Sequence, residues 1–283
     1  MSGLAIRDLH RHYGGVAAVD GVDLDIPAGS VTALIGPNGA GKTTLLHCIT
    51  GLDSADAGTI TLAPISTATA TATATATEAA AATATEAAAT SAVAASGTDL
   101  SDLPAHERAR RGLAWTFQRI ELFAGLTVAE NVRVGAENRH GRSLVRGLLG
   151  WPDPRRNAVD ATVAEVLARL GLDAVADTPA GSLPTGTMRL VELGRALAAR
   201  PAALLLDEPA SGLDDHQILR LAEVLRGLAE SGIAVLLVEH DMRFVEAVAD
   251  RVHLMALGRV LVSGPPAAVL ADPAARRVYL GEP

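Results

Sequence analysis

The chain has 283 residues, enough for one or two domains, and a formal net charge of −8. This acidic balance argues against a nucleic-acid partner held by bulk positive charge. The single cysteine, Cys48, excludes an internal disulfide and a zinc site built from cysteines, and we expect it to be a buried core thiol.

No uninterrupted apolar run approaches the roughly 20 residues that a membrane span needs. Charged and polar side chains at Arg7, Asp8 and His10 come too early for a signal peptide. We therefore expect a cytosolic chain that reaches a membrane only through a partner.

The first 30 residues contain short β-like pieces at 4–6, 16–19 and 22–26, separated by glycines, which predict an antiparallel layer. Tyr13 lies in this region and is one of only seven aromatic residues. It is either an aromatic that stacks on adenine or a turn tyrosine that packs locally.

A glycine-rich loop follows an apolar strand at 31–35 and precedes a helix that Gly51 closes. The loop matches the phosphate-binding pattern G-x-x-x-x-G-K-[ST] at every fixed position, and the strand–loop–helix context disfavours a chance glycine turn. Its backbone N–H groups and the helix N-terminus are expected to face an anion. Lys42 is predicted to reach the β- and γ-phosphates, and the Thr43 hydroxyl to ligate Mg²⁺. The predicted nucleotide-binding residues are Gly36, Pro37, Asn38, Gly39, Ala40, Gly41, Lys42, Thr43 and Thr44.

Residues 66–96 are almost entirely Ala and Thr, with Glu78 and Glu86 as the only charges. Neither a strand nor a helix built from them would have an apolar face to bury, so we predict a mobile surface loop. Removing 64–96 joins a strand at 59–62 to a turn near 97–103. We therefore predict an insertion within a single domain that covers 1–283.

The middle of the chain alternates predicted helices and a strand. Residues 104–112 predict a short helix whose basic cluster forms a solvated face, and 113–117 predict a strand that ends at Gln118. Helices are predicted at 127–138 and 157–170. The apolar segment 142–151, with basic flanks, either packs on its own domain or rests on a membrane or a partner's helix.

The last hundred residues predict a mostly parallel sheet. A helix at 184–200 leads to a buried strand at 203–206, and a helix at 218–228 leads to a second buried strand at 233–238. A hairpin closes this region, with strands at 252–256 and 260–262. Ligands of such sheets gather at the carboxyl ends of the strands, where Gly36, Asp207 and His240 all fall.

These strand ends carry groups suited to nucleotide hydrolysis. Asp207 is predicted to hold Mg²⁺ together with Thr43, and Glu208 to orient and deprotonate the attacking water. The alternative for the two acids is a solvated turn, which the upstream phosphate loop disfavours. His240 is either a contact to the γ-phosphate or a structural histidine, and its place at a strand end favours the contact.

The set of Tyr13, the loop 36–44, Gln118, the segment 204–214 and His240 resembles the ATP-binding subunit of an ATP-binding cassette (ABC) transporter. The resemblance covers nearly the whole chain apart from the Ala/Thr insertion. It implies a P-loop NTPase of the ABC ATPase fold, an α/β core with an antiparallel β subdomain and an α-helical subdomain at about 119–188. The residues 251–283 would form a C-terminal hairpin and tail.

The same resemblance implies roles for individual residues. Tyr13 would stack on adenine, Gln118 would link the magnesium site to the membrane partner, and His240 would be the switch histidine. Asp214 would lie in the loop that meets a second ATP-binding subunit, with ATP held between the two. The implied catalytic set is Lys42, Gln118, Glu208 and His240, and the implied metal set is Thr43, Gln118 and Asp207.

One branch of the family fits best. The segments 115–123 and 126–132, the long segment at 139–157 and the ending at 278–282 resemble the branched-chain amino-acid uptake group. Its relatives also move urea, other amides or aromatic compounds, and the substrate is chosen by a membrane permease and an extracytoplasmic solute-binding protein. The resemblance thus implies a peripheral subunit at the cytoplasmic face of the cell membrane that hydrolyses ATP to power import. The alternative is a soluble ABC ATPase of DNA repair or translation.

The sequence departs from the family in the segment 183–187, which we call the signature segment. The family commonly has Leu-Ser-Gly-Gly-Gln, and this chain has Leu-Pro-Thr-Gly-Thr, with Pro184 at the serine position. Proline removes both a hydroxyl and a backbone N–H that would meet the opposite γ-phosphate, whereas Gly186 is kept. We expect either slower hydrolysis at the site that this segment completes or a heterodimer whose partner supplies a better one.

Overall fold

The structure is a computed structural model that describes residues 3–63, 97–140 and 156–280, without the side chains of 138–140 and 279–280. The Ala/Thr-rich insertion, the apolar segment 142–151 and the last three residues of the C-terminal tail lie outside the described residues. The predictions made for those segments therefore stay predictions.

A four-stranded antiparallel sheet forms the first layer, in the order β2-β1-β4-β5. Glycine turns and alternating apolar positions produce these strands, and their apolar faces are buried. The predicted pieces at 16–19 and 22–26 belong to one long strand. The strands are β1 (Gly3–Tyr13), β2 (Val16–Pro27), β4 (Ala57–Leu62) and β5 (Thr98–Asp99).

A six-stranded sheet forms the second layer, in the order β10-β9-β3-β8-β7-β6. All its pairs are parallel except the hairpin of β9 and β10, which confirms the predicted mostly parallel sheet. The central strands β3, β7 and β8 are buried at every residue, as apolar strands covered on both faces must be. The strands are β3 (Val31–Ile35), β6 (Leu113–Thr116), β7 (Ala203–Asp207), β8 (Ala234–Val238), β9 (Arg251–Ala256) and β10 (Arg259–Gly264).

Helices cover the parallel sheet and fill the segment between β6 and β7. The apolar stripe predicted for 157–170 is buried along α4 (Arg156–Leu170). It packs there against α3 (Val128–His140) and α5 (Thr185–Ala198). The α-helices of the described residues are α1 (Lys42–Thr50), α2 (Ala105–Arg110), α3 (Val128–His140), α4 (Arg156–Leu170), α5 (Thr185–Ala198), α6 (Asp215–Glu230), α7 (Met242–Val248), α8 (Pro266–Ala271) and α9 (Pro273–Leu280).

Helix α1 lies in the core between the two sheets. Its residues Leu45, Cys48 and Ile49 are fully buried among side chains of both sheets, so the prediction of a packed core thiol is confirmed. This packing holds the N-terminus of α1 at the carboxyl end of β3, where the phosphate loop lies.

The basic cluster of α2 was predicted to be a solvated face, and this is wrong for Arg108. Its side chain is 2% exposed. The guanidinium donates hydrogen bonds to the carbonyl oxygens of Cys48 and Ile49, at 2.6 and 2.8 Å, and to those of Ser101 and Leu103. Because the last carbonyls of a helix have no partner within it, Arg108 satisfies the C-terminal end of α1.

Candidate active site

At two positions of the loop between β3 and α1, the backbone conformation and the close packing permit only glycine. Gly36 and Gly41 have φ angles of 153° and 102°. A Cβ atom at Gly36 would lie 2.1 Å from the carbonyl oxygen of Met255, and one at Gly41 would lie 2.0 Å from that of Ala18. The loop is thus pressed between β2 and β9, and its backbone has no room for side chains.

Lys42 begins α1 and folds back across the loop. Its Nζ donates hydrogen bonds to the carbonyl oxygens of Gly36, at 2.7 Å, and Pro37, at 2.9 Å. Burial lowers the pKa of the ammonium, while Glu208 and Asp207 oppose that change. No side chain caps the N-terminus of α1, so its first N–H groups are free to meet an anion. Thr43 lies beside them in the exposed first turn.

Two acids end β7 in different environments. Asp207 is 7% exposed, and burial, together with the neighbouring Glu208, raises its pKa to about 6. Glu208 has a φ angle of 48°, a left-handed conformation that is uncommon for a residue with a side chain. Asp207 lines a cleft with Thr43, whereas the carboxylate of Glu208 contacts Gln118 and His240.

The structure brings Gln118 and His240 to Glu208, although the sequence placed them on separate strands. Gln118 Nε2 donates a hydrogen bond of 3.1 Å to Glu208 Oε2. His240 Nδ1 lies 3.7 Å from Glu208 Oε1 and 3.8 Å from Oε2 of Glu239. The carboxyl ends of β6, β7 and β8 thus converge on one carboxylate.

Glu239 has a supporting role that the sequence analysis did not identify. It is 1% exposed, and burial raises its pKa. Its carboxylate accepts hydrogen bonds from the N–H groups of Ala210, at 2.9 Å, and His240, at 3.1 Å. It therefore ties the loop after Glu208 to the strand end that carries His240.

The residues predicted to hold Mg²⁺ line one cleft. Thr43, Gln118 and Asp207 lie around a cleft of about 240 Å³ between α1 and β6. A hydroxyl, an amide oxygen and a carboxylate are the hard oxygen donors that Mg²⁺ prefers. Burial and the neighbouring Glu208 raise the pKa of Asp207, and a divalent cation held by this donor set would favour its charged form.

Arg189, on α5, was also missed. Its Nη2 donates a hydrogen bond of 2.9 Å to the carbonyl oxygen of Gln118, and its Nε donates one of 3.2 Å to that of Ser211. One guanidinium therefore joins the helix that follows the signature segment to the segment of Gln118 and to the loop after Glu208. The sequence analysis did not identify Arg189, because it belongs to no motif that distinguishes it from the other arginines.

The signature segment leads directly into α5. Pro184 precedes the first helical residue in an extended conformation and offers no side-chain cap. Gly186 is buried, and a Cβ there would lie 2.4 Å from the side-chain oxygen of Gln217. Gln217 forms a capping box with Asp214 at the start of α6. Gly186 thus serves close packing of α5 against α6 within one chain.

Tyr13 is not among the residues that contact Glu208. It ends β1, is 47% exposed, and donates a hydrogen bond from its hydroxyl to Asp53. The strand β2 of the same hairpin passes against Gly41 through Ala18. Tyr13 therefore lies on the hairpin that borders the phosphate loop.

Comparisons with known proteins agree on one family. Residues 19–211 match the family model described as "ABC transporter", and residues 259–283 match the model described as "Branched-chain amino acid ATP-binding cassette transporter". The chain is 34% identical to the high-affinity branched-chain amino acid transport ATP-binding protein LivG of Salmonella typhimurium, over 99% of this chain and 98% of the relative. It is 33% identical to the corresponding protein BraF of Pseudomonas aeruginosa, with the same coverage. A crystal structure of the ADP conformation of an ATP-binding cassette of an ABC transporter superposes with a TM-score of 0.77 and 28% identity over the full length of both chains.

Proposed function

The chain belongs to the ABC transporter family as an ATP-binding and ATP-hydrolysing subunit, and from this premise we propose that it powers the uptake of branched-chain amino acids or a related small solute. The observation that carries the site assignment is the convergence of Gln118 and His240 on Glu208 beside the phosphate loop. The alternative, a soluble ABC ATPase of DNA repair or translation, is not favoured because the full-length relatives are transport proteins.

The nucleotide is held first by backbone groups. Residues 36–44 offer N–H groups and the N-terminus of α1 to the phosphates. The ammonium of Lys42 donates hydrogen bonds to two carbonyl oxygens of the loop, so its side chain already lies across the loop. A phosphate oxygen would take over part of that coordination when ATP binds, at a small cost in side-chain entropy.

Thr43, Asp207 and Gln118 would hold Mg²⁺, as the oxygen donors around their shared cleft favour. When bound, the ion neutralises charge on the β- and γ-phosphate oxygens. Asp207 keeps its carboxylate charged most readily when a cation is near, because burial otherwise favours its protonated form.

Glu208 is the general base in this proposal. Its carboxylate accepts a hydrogen bond from Gln118 and lies near His240. A carboxylate in this position removes a proton from the attacking water. His240 is 65% exposed in its side chain and is free to contact the γ-phosphate.

We further propose that two ATP-binding subunits pair, with the N-terminus of α5 and Gly186 of one facing the nucleotide of the other. Pro184 and Thr185 are exposed in the single chain, as an interface segment must be before pairing, whereas Gly186 is buried behind them. Thr185 or Thr187 would supply the hydroxyl that Pro184 lacks. Pairing with itself and pairing with a different subunit both agree with this surface.

The other proposed partners are integral membrane permease subunits and, through them, an extracytoplasmic solute-binding protein; no nucleic-acid partner is proposed. No helix among the described residues is long and apolar enough to cross a membrane. The proposed location is peripheral, at the cytoplasmic face of the cell membrane, because that is where ATP and the permease meet.

The domain organisation is a further part of the proposal. Strands β4 and β5 pair antiparallel, Thr61 with Asp99 and Leu62 with Thr98, on either side of residues 64–96. That pairing supports an insertion within one domain that covers 1–283. The segment from about 119 to 188 would be its helical subdomain, and 251–283 its C-terminal hairpin and tail.

Reconstitution tests the transport proposal. The chain is co-expressed with candidate permease subunits, and the purified complex is reconstituted into proteoliposomes. ATP is then supplied either inside or outside the vesicles. We expect uptake of labelled leucine that depends on ATP on this subunit's side and disappears with Glu208→Gln. ATP hydrolysis without uptake of leucine or of amides would contradict the proposed substrate class and leave the ATPase assignment intact.

A further inference from the structure

The side chain of Tyr13 is fixed at its hydroxyl and on one face of its ring. The hydroxyl donates a hydrogen bond to Asp53 Oδ2. The guanidinium carbon of Arg11 lies 4.7 Å from the ring centroid. Tyr13 is nevertheless 47% exposed, so part of the side chain stays accessible to a ligand while Arg11 occupies one face of the ring.

Arg11 and Asp53 are also bound to each other. Arg11 Nη2 lies 2.7 Å from Asp53 Oδ1, and its Nη1 lies 3.0 Å from Asp56 Oδ1. Asp53 Oδ1 accepts a further hydrogen bond of 2.8 Å from the N–H of Ser54. Arg11, Tyr13 and Asp53 therefore form a closed triangle, in which each member contacts the other two.

The triangle joins the β1–β2 hairpin, which carries Arg11 and Tyr13, to the segment after α1, which carries Asp53. Tyr13 pairs with Val16 at the end of the β1–β2 hairpin, and the same hairpin passes Gly41 through Ala18. Asp53 follows α1, which begins at Lys42. A fixed aromatic at this place would lie at the edge of a nucleotide site without contacting the phosphates.

We propose that Arg11 and Asp53 are positioning residues that hold the Tyr13 ring as a one-sided stacking platform for the base of the bound nucleotide. The inference rests on the proposed function and on the adenine-stacking role that the family resemblance implies for Tyr13. A ring held in advance loses less conformational freedom on binding than a free one. The cation on its far face also draws electron density from the ring, and aromatic rings stack on bases through such π-faces.

The same hydrogen bond has a titration signature. It raises the pKa of the Tyr13 phenol and lowers that of Asp53, because the neutral phenol donates to the charged carboxylate. A purely structural contact elsewhere on the hairpin would not move the phenol.

The test compares ATP with inorganic tripolyphosphate, which has no base, by calorimetric binding to the full chain. We expect Tyr13→Phe and Asp53→Ala each to weaken ATP binding about fivefold and to leave tripolyphosphate binding unchanged. The double variant should bind ATP no more weakly than Asp53→Ala alone, because the hydrogen bond that Tyr13→Phe removes is then already absent. Two variants serve as matched controls, Arg7→Met and Asp25→Ala. Each breaks an exposed ion pair between β1 and β2, on the same hairpin as Tyr13.

Ultraviolet titration supplies the second readout. The sequence has two tyrosines, so the difference between the wild type and Tyr13→Phe isolates Tyr13. We expect Asp53→Ala to lower the phenol pKa towards its ordinary value.

Two results would overturn the inference. Unchanged ATP affinity in Tyr13→Phe and Asp53→Ala, with Tyr13→Ala weakened, would leave stacking intact and remove the anchoring. Equal losses for ATP and tripolyphosphate would indicate a structural role. Binding of neither ligand by the wild type would instead mark failure of the proposed nucleotide site itself.

Discussion

Gln118 and Glu208 are 90 residues apart in the chain, yet the amide of the first donates a hydrogen bond of 3.1 Å to the carboxylate of the second. The bond joins the end of β6 to the end of β7, which are neighbours in the parallel sheet. It also connects Glu208, the proposed base, to a residue that we propose as a ligand of Mg²⁺. A change in the position of Gln118 therefore changes the position of the base.

Replacing the base should separate nucleotide binding from hydrolysis. We expect Glu208→Gln to bind ATP normally and to hydrolyse it 10²- to 10³-fold more slowly, the usual effect of losing a general base. Light scattering on a sizing column with Mg-ATP would show a shift from monomer to dimer if the chain pairs with itself. Glu223→Gln, an exposed acid on α6, is the control. Hydrolysis near the wild-type rate would remove Glu208 from the base role.

Arg189 should affect turnover more than binding. Its guanidinium joins the carbonyl oxygens of Gln118 and Ser211, and a lysine has no second nitrogen with which to reach both. We expect Arg189→Lys and Arg189→Met to lower kcat about tenfold with less than a twofold change in KM. Arg169→Met removes a comparable bond, to the carbonyl oxygen of Gly227, away from the site. Equal effects of the two methionine variants on kcat would contradict the positioning role.

Pro184 provides a prediction of increased activity. Serine restores a backbone N–H and a hydroxyl at the residue before α5, where it would also cap the helix. We expect Pro184→Ser to accelerate ATP turnover several-fold in the assembled transporter. Pro184→Ala restores the N–H alone and so apportions the gain between the two groups. An unchanged rate in both variants would count against a defect caused by proline.

Asp207 should reduce stability while it supports catalysis. Its pKa rises to about 6 on folding from an ordinary value near 4, so the folded chain binds more protons between these pH values. The free energy of unfolding therefore falls as the pH rises from about 4 to 6. We expect Asp207→Asn to stabilise the nucleotide-free chain by about 3 kcal/mol at pH 7, with little gain at pH 4. Urea unfolding at both pH values measures this, and a gain independent of pH would contradict it.

Arg108 should be essential for folding stability. Methionine fills a similar volume but leaves the carbonyl oxygens of Cys48 and Ile49 without this donor inside the protein. We expect Arg108→Met to lower the free energy of unfolding by about 3 kcal/mol. Arg111→Met removes only an exposed ion pair with Glu107 and should change it by less than about 0.5 kcal/mol. Similar unfolding midpoints for the two variants would be inconsistent with the cap.

Much of the fold was predictable because its causes lie within short stretches of sequence. The buried strands at 31–35, 203–206 and 233–238 were predicted to within one or two residues, since apolar β-branched and leucine runs between glycines and prolines specify them locally. The helix α1 and its end at Gly51 followed from the phosphate-loop pattern and a glycine stop.

The phosphate loop, the two acids and the histidine were predictable from local sequence, because their spacing within each strand–loop unit fixes which strand end carries each group. The packing of the folded chain was needed to show that Arg108 is buried at the C-terminal end of α1, that Arg189 links Gln118 with Ser211, and that Asp53 holds Tyr13. Each of these contacts joins elements distant in the chain or depends on which way a long side chain turns. The periodicity of the sequence does not predict these contacts, because they depend on how the two sheets and the helices pack together.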